Sequence, residues 1–411
     1  MRRRAFLGLT AVLSAMARSS FVWADELSDL RKAGVLRVGT SDDYAPFSKA
    51  SNGKRAGLDV DLIELLANEL GIRLEFVPFR WPELSSRLEQ KAFDVAASGV
   101  TMRADRVFFG NFSRPYAITG AVACVRKEDA AKFSRGGALD SLGVRIAVNR
   151  GGYLAHVAAT TFPHATLVLL DDNTTLFERV LSKAVDAVVS DSAEVHAAAH
   201  HELQTVGPFT RDRKAFLVRR DLPALARFID EWLFKKETEP TMTRLRRRWL
   251  GDIVPAVWNP YLESVLADVQ LRLDMMPWVG AAKRVLRMPI EDRAQEARVL
   301  AHVRELASGS LLDPSGVESL YRVLIRSAKI IQLAPVLPGA PATTLDALRG
   351  AIGGIDEHLV QSLKGAAPRV PSADWQKGVD AGIRTDVLPK QVLGELAAAL
   401  AGIHRVQGKT R

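Results

Sequence analysis

Cysteine is almost missing from this chain of 411 residues, where Cys124 stands alone. An internal disulfide is therefore excluded, and oxidation cannot staple the fold. Within Ala121-Val122-Ala123-Cys124-Val125 the thiol reads as a buried strand residue rather than a nucleophile. Past the N-terminus no apolar run is long enough for a transmembrane helix, so stable membrane insertion is not expected. Internal repeats are missing too, as is any basic stripe with interleaved aromatics. The net charge is +9, from 56 Lys+Arg and 47 Asp+Glu, but four arginines and no acid lie in the first 24 residues. Without those four, 52 basic residues face 47 acidic ones, and the resulting +5 is too weak and dispersed for a nucleic-acid partner. Wholesale disorder is excluded as well, since 47% hydrophobic and 25% charged residues are globular proportions.

Residues 1–24 read as an export signal. Arg2-Arg3-Arg4 precedes the apolar run from Ala5 to Met16, and Val22-Trp23-Ala24 offers small residues around a cleavage point. Arg3-Arg4-Ala5-Phe6-Leu7 is also similar to a twin-arginine signal, so both export routes stay open and a periplasmic location is expected.

Length predicts two or three folding units, because single cores seldom grow past about 250 residues. Over 25–252, short β-branched runs alternate with amphipathic helical stretches, the pattern of an α/β layered unit. Val35-Leu36-Arg37-Val38 is a strand, and Leu62, Ile63, Leu66 and Leu70 follow at helical spacing, with Asp59 as the expected N-cap. Strands stop after Leu250. Over 253–411 the texture is that of Ala/Leu/Arg helices, expected at about 259–286, 292–308, 314–333, 343–364 and 387–406. Prolines at 335–341 and 368–371 must interrupt them.

In the first unit, Gly39 to Phe47 places small and aromatic residues after the first strand, where open α/β sheets bind ligands. Ser98-Gly99-Val100-Thr101 and Arg106 bring hydroxyls, backbone N–H groups and a guanidinium, a set suited to a carboxylate. Together with Tyr44-x-Pro46-Phe47, Gly57-x-Asp59, Trp81-Pro82, Asn149-x-Gly151-Gly152, Asp172-Asn173 and Ser190-Asp191-x-x-Glu194, this order resembles the periplasmic type-2 solute-binding proteins of the amino-acid class. It is more closely similar to their catalytic offshoot, the cyclohexadienyl dehydratases. The resemblance implies a two-lobed Venus-flytrap fold, with Arg106 on a ligand carboxylate and Tyr44 and Trp81 packed on its ring. Ser98, Thr101, Asn149 and Asp191 would contribute to binding, and Lys214 would set a cation at the cleft. Glu194 would be the acid that protonates a departing hydroxide. Where the dehydratases carry Gly-Gly-Thr-Asn, this chain has Gly151-Gly152-Tyr153-Leu154.

His196 and His200 are four apart on one expected helix, with His201 beside them. That spacing can bind zinc, but no third ligand lies near in sequence, and an exposed histidine face is the favoured reading.

In the second unit, Arg272 and Lys283 lie eleven residues apart, three turns of one expected helix. With Asp292, Gln295, Glu296 and Gln332, this spacing resembles the helical chorismate mutases of the secreted subclass. The resemblance implies Arg272 on a carboxylate, Lys283 and Gln332 on the ether oxygen, and Asp292 and Glu296 near the ring hydroxyl. The family has arginine where Gln295 stands, a small polar residue where Ala328 stands, and a later arginine that falls near His358. Two resemblances together imply an α/β two-lobed unit followed by an all-α mutase-like unit. They imply a bifunctional enzyme taking chorismate to prephenate and prephenate to phenylpyruvate, or arogenate to phenylalanine. Neither step calls for a metal or organic cofactor, and a homodimer through the helical unit stays open. The competing reading is a non-catalytic receptor for an amino acid or aromatic acid that feeds a membrane transporter.

Overall fold

The computed structural model describes residues 26–133, 137–150, 152–253, 259–334 and 343–406. The export-signal reading, Gly151 and the 335–341 break lie outside them. Contacts divide the described chain into two compact units. The first runs through Thr101 and again from Phe109 to Ile253; the second takes Met102–Phe108 and the chain from Asn259.

The first unit is built on two five-stranded sheets. In one, Val35–Thr40 lies between Arg73–Pro78 and Val95–Ala96, all parallel, and Leu217–Arg219 and Gly110–Phe112 complete the sheet antiparallel. In the other, Arg145–Asn149 lies between parallel Thr166–Leu170 and Ala187–Asp191, followed by antiparallel Ala121–Arg126 and Leu203–Val206. The chain passes between the sheets twice, and both passages pair as one short ribbon, Ala117–Thr119 against Asp212–Lys214. Helix Leu58–Leu70 sets Leu62, Ile63, Leu66 and Leu70 into the core of the first lobe, each burial contributing about 2 kcal/mol. Its start is Gly57, not Asp59. Gly57 has φ 148°, and a Cβ there would lie 2.1 Å from the Phe47 carbonyl oxygen. Asp59 caps nothing; it points inward and is fully buried. Cys124 is buried in its strand, and burial pushes the thiol up to about 12.

The second unit is all helical. The expected helix 259–286 is two, Pro260–Asp274 and Met276–Val285, because Pro277 lacks the N–H that would continue the ladder. Arg293–Gly309, Pro314–Leu333 and Leu345–Ala366 follow the expected spans closely. The 387–406 stretch is helical over Lys390–Ala401, and a further helix, Ser372–Gly382, was not anticipated. Starts are set by side-chain caps: Asn259 on Tyr261 and Leu262, Asp292 on Gln295, Asp313 on Ser315 and Gly316, Thr344 on Ala347. Gly280 lets two helices close, since a Cβ there would stand 2.3 Å from the Gln332 carbonyl oxygen. Among the described residues, no helix is long and apolar enough to cross a membrane.

Candidate active sites

In the first unit, the carboxyl ends of the strands and the connecting ribbon gather one buried polar cluster. Lys214, from the ribbon, is 2% exposed, and its ammonium donates to Thr101 Oγ1 at 2.8 Å and Tyr44 OH at 3.2 Å. It stands 3.0 Å from Asp191 Oδ2. Asp191 also accepts from Thr119 Oγ1 at 2.6 Å and, through Oδ1, from the Ala193 amide at 2.8 Å, capping helix Ser192–Ala198. Glu194 lies in the first turn of that helix and is 8% exposed. Asn173 Nδ2 donates to Oε1 at 2.5 Å and the Ser190 hydroxyl donates to Oε2. Those donors favour the charged carboxylate, yet burial outweighs them and, with Asp191 and Asp43 adding repulsion, lifts Glu194 to about 7.

The surrounding groups hold the walls. Asp59 accepts from the Gly99 amide and Tyr116 OH, both at 2.7 Å, and burial lifts it to about 7. Gly99, at φ 61°, leaves no room for a Cβ beside the Tyr44 and Phe47 rings. Ser98 bonds Ser41 and Ser48. Trp81 meets Tyr44 edge to face, with centroids 5.6 Å apart. Tyr153 hydrogen-bonds Asp212, whose carboxyl burial raises to about 6. Asn149 ends its strand. Arg106 is buried on the short helix Ala104–Phe108, a segment grouped by its contacts with the second unit.

The histidines do not share a helix. Ala199, at φ 50°, ends Ser192–Ala198 before His200, whose ring packs on Phe177. Among the described residues, no group of three His, Cys, Asp or Glu side chains stands where it could hold a metal ion.

In the second unit, a cavity of about 310 Å³ opens between helices and is lined by Arg272, Lys283, Asp292, Gln295, Glu296, Ala328 and Gln332. The helix break at Met275 does not separate Arg272 from Lys283; both reach this one cavity. Also on its wall are Arg298, Lys329, Arg349 and Asp356, giving five cations against three carboxylates. Arg272 Nε donates to Asp356 Oδ1 at 2.8 Å, Arg349 to Asp292 at 3.1 Å, and Lys329 lies 3.2 Å from Glu296. Lys283 instead donates to the Ile290 carbonyl at 2.7 Å, and desolvation holds its pKa below that of an ordinary lysine. Arg272 Nη1 and Gln332 Oε1 are buried with no hydrogen-bond partner. Gln332 Nε2 has only a weak acceptor, Met276 Sδ at 3.6 Å. Such polar atoms on a cavity wall are costly unless a ligand satisfies them.

The profile of the bacterial extracellular solute-binding proteins, family 3, matches residues 36–252, more than half of the chain. The chain belongs to that family. The chorismate mutase type II profile matches residues 264–333 of the second unit. Cyclohexadienyl dehydratase of Pseudomonas aeruginosa is 33% identical over 252 residues, covering 60% of this chain and 92% of that protein. The L-cystine-binding protein of Escherichia coli K12 is 25% identical over 256 residues, or 61% of this chain and 96% of that one. Among solved structures, an ancestral amino acid-binding protein described as a precursor of cyclohexadienyl dehydratase covers 55% of this chain and 99% of its own. It is 33% identical, with a TM-score of 0.52.

For a family-3 protein carrying a mutase domain, the sequence located most of both clusters and left three features unplaced. Arg349 stands on the cavity wall, whereas His358 pairs with Asp268 at 2.8 Å and is not on it. Asp356 was not singled out, although Arg349, Ile352, Gly353 and Asp356 recur at helical spacing and mark one face. Asn173, grouped with Asp172 in the motif, turns out to hold the Glu194 carboxyl.

Proposed function

We propose that this chain is an exported bifunctional enzyme of phenylalanine biosynthesis: the helical unit isomerises chorismate to prephenate, and the two-lobed unit dehydrates and decarboxylates prephenate to phenylpyruvate. Residues 1–24 serve as the export signal, 25–252 as the dehydratase domain and 253–411 as the mutase domain. The extracellular designation of family 3 supports a periplasmic location.

One observation carries the dehydratase reading: Glu194 is a buried carboxyl whose pKa, about 7, lets it hold a proton near neutrality. Hydroxide is a poor leaving group. Glu194 gives its proton to the departing hydroxyl, so the ring C–O bond breaks to release water. The bond from the ring to its carboxylate breaks in the same process, its electron pair completes the aromatic ring, and CO2 leaves. Ser190 and Asn173 then stabilise the Glu194 carboxylate until it is reprotonated. Arg106, Tyr44, Trp81, Ser98, Thr101 and Asn149 form the remaining substrate contacts.

The mutase reaction needs no proton transfer. Chorismate carries two negative charges, and five cations against three carboxylates leave the cavity two positive charges in excess. Arg272 holds one carboxylate, using its unpartnered Nη1. Lys283 and Gln332 Nε2 donate to the ether oxygen, where negative charge grows as the bond breaks. Asp292 and Glu296 stand near the ring hydroxyl, and Gln295 lies beside the second carboxylate.

Purified full-length protein incubated with prephenate should accumulate phenylpyruvate, read by its absorbance in base. Tight binding of an unaltered amino acid without that product would favour the transporter-receptor reading.

A further inference from the structure

Two buried arginines of the chain are each gripped through two nitrogens at once. Arg114 donates from Nε and Nη2 to the two oxygens of Asp230, at 3.2 and 2.6 Å, and Arg246 from Nη1 and Nη2 to the two of Glu237, both at 2.6 Å. A two-pronged pair of that kind uses the carboxylate and one edge of the guanidinium fully. Arg272 is held differently. Its Nε donates to Asp356 Oδ1 at 2.8 Å, both side chains are 4% exposed, and Nη1 is buried with no hydrogen-bond partner. Arg272 and Asp356 both line the helical cavity. The same Asp356 oxygen accepts from Tyr321 OH at 3.0 Å, and the Arg272 guanidinium lies 5.5 Å from the centroid of the Tyr321 ring. Asp356 comes from helix Leu345–Ala366 and Tyr321 from Pro314–Leu333, so two helices fix a guanidinium carried by a third, Pro260–Asp274. The bond at Nε and the ring beside the guanidinium set the plane of a rigid fork before any ligand arrives.

We propose that Asp356, itself steadied by Tyr321, is the positioning residue of Arg272: its single bond to Nε orients the guanidinium and leaves Nη1 for a ligand carboxylate. This rests on the mutase reading and deepens it, adding two residues that act through Arg272 rather than on the substrate. A carboxylate so near an anion site costs affinity by like-charge repulsion. That cost is offset when the orientation it gives to the arginine saves the ligand the ordering.

The test follows chorismate consumption by the full chain. Asp356→Ala should raise KM for chorismate by about tenfold or more while kcat falls by less than about threefold, because the carboxylate is held alike before and during the rearrangement. Asp356→Asn keeps an oxygen acceptor in the same place and should return KM to within about threefold of its original value. A purely structural role would instead lower the folded fraction, cutting apparent kcat with KM unmoved. That outcome, or an Asn variant as impaired in KM as the Ala variant, overturns the inference and leaves the mutase reading intact. Where Asp356→Ala yields no folded protein, Tyr321→Phe decides. Loss of the phenol donor should raise KM by about threefold, and an unchanged KM overturns the inference. If the unaltered chain consumes no chorismate, the mutase reading fails, and calorimetric titration with chorismate decides the positioning role. Binding about tenfold weaker in Asp356→Ala supports it; equal binding, or none by either protein, overturns it.

Discussion

The two units balance charge differently. Around the first site, burial pushes carboxyls toward neutrality, Glu194 and Asp59 to about 7 and Asp212 to about 6. Around the second, guanidinium and ammonium groups outnumber carboxylates; Asp292 is held below its ordinary range by the Gln295 amide and nearby Arg349, while burial raises Asp356. The contrast follows from the reactions proposed for them. Expelling hydroxide requires a group that changes its protonation state once per turnover, so its pKa must lie near the working pH. A pericyclic rearrangement requires only fixed charges that outlast the reaction, so its site is best built from groups that do not titrate nearby.

Replacing Glu194 by Gln should break the first half of that contrast most severely. Phenylpyruvate formation should drop by about a thousandfold, while chorismate consumption stays unchanged; a variant at full dehydratase rate would remove the proposed acid. Lys283→Ala should do the converse, cutting chorismate consumption by about a hundredfold or more and sparing the dehydratase. The pH profiles sharpen the comparison further. Glu194 is active while protonated, and its pKa is raised to about 7, so dehydratase rate should be present below that pH and fall as pH climbs through it, about tenfold per unit. Mutase rate should persist there and decline only as Lys283 loses its proton, below the pH of an ordinary lysine. Coincident profiles would contradict the division of labour.

Gly280→Ala probes packing rather than charge. The added methyl meets backbone at Gln332, so thermal unfolding of the helical unit should weaken by about 1–3 kcal/mol, with the two-lobed transition unmoved. The smallest effect belongs to Arg298. Its Nε and Nη2 donate to Gln295 Oε1 at 3.1 and 2.7 Å, so the amide steadies a cation one turn beyond the position where the family has arginine. Arg298→Ala should raise KM for chorismate by about fivefold to tenfold and leave kcat near its original value.

Much of both sites was legible from residue order. Glu194 was singled out three residues after Asp191, and Arg272, Lys283, Asp292, Glu296 and Gln332 all reach one cavity. What misled was local logic applied to residues with distant partners. Asp59 has the type and place of an N-cap, but its Oδ2 accepts instead from Tyr116 OH and the Gly99 amide. His196 and His200 have helical spacing, but the chain turns left-handed at Ala199 between them. Asp356 lies 84 positions from Arg272, and no local pattern announces that pair.

Hydrophobic periodicity and proline placement are properties of neighbouring positions, and they were enough to set an α/β unit before a helical one; the order of the motifs, through their resemblance to known families, named most polar residues of each site. The protonation of Glu194, the engagement of Asp191 by Lys214 and the pairing of Arg272 with Asp356 depend on side chains brought together from separate elements. Desolvation and Coulomb energy vary with the distance to those partners and to water, which only the folded chain defines.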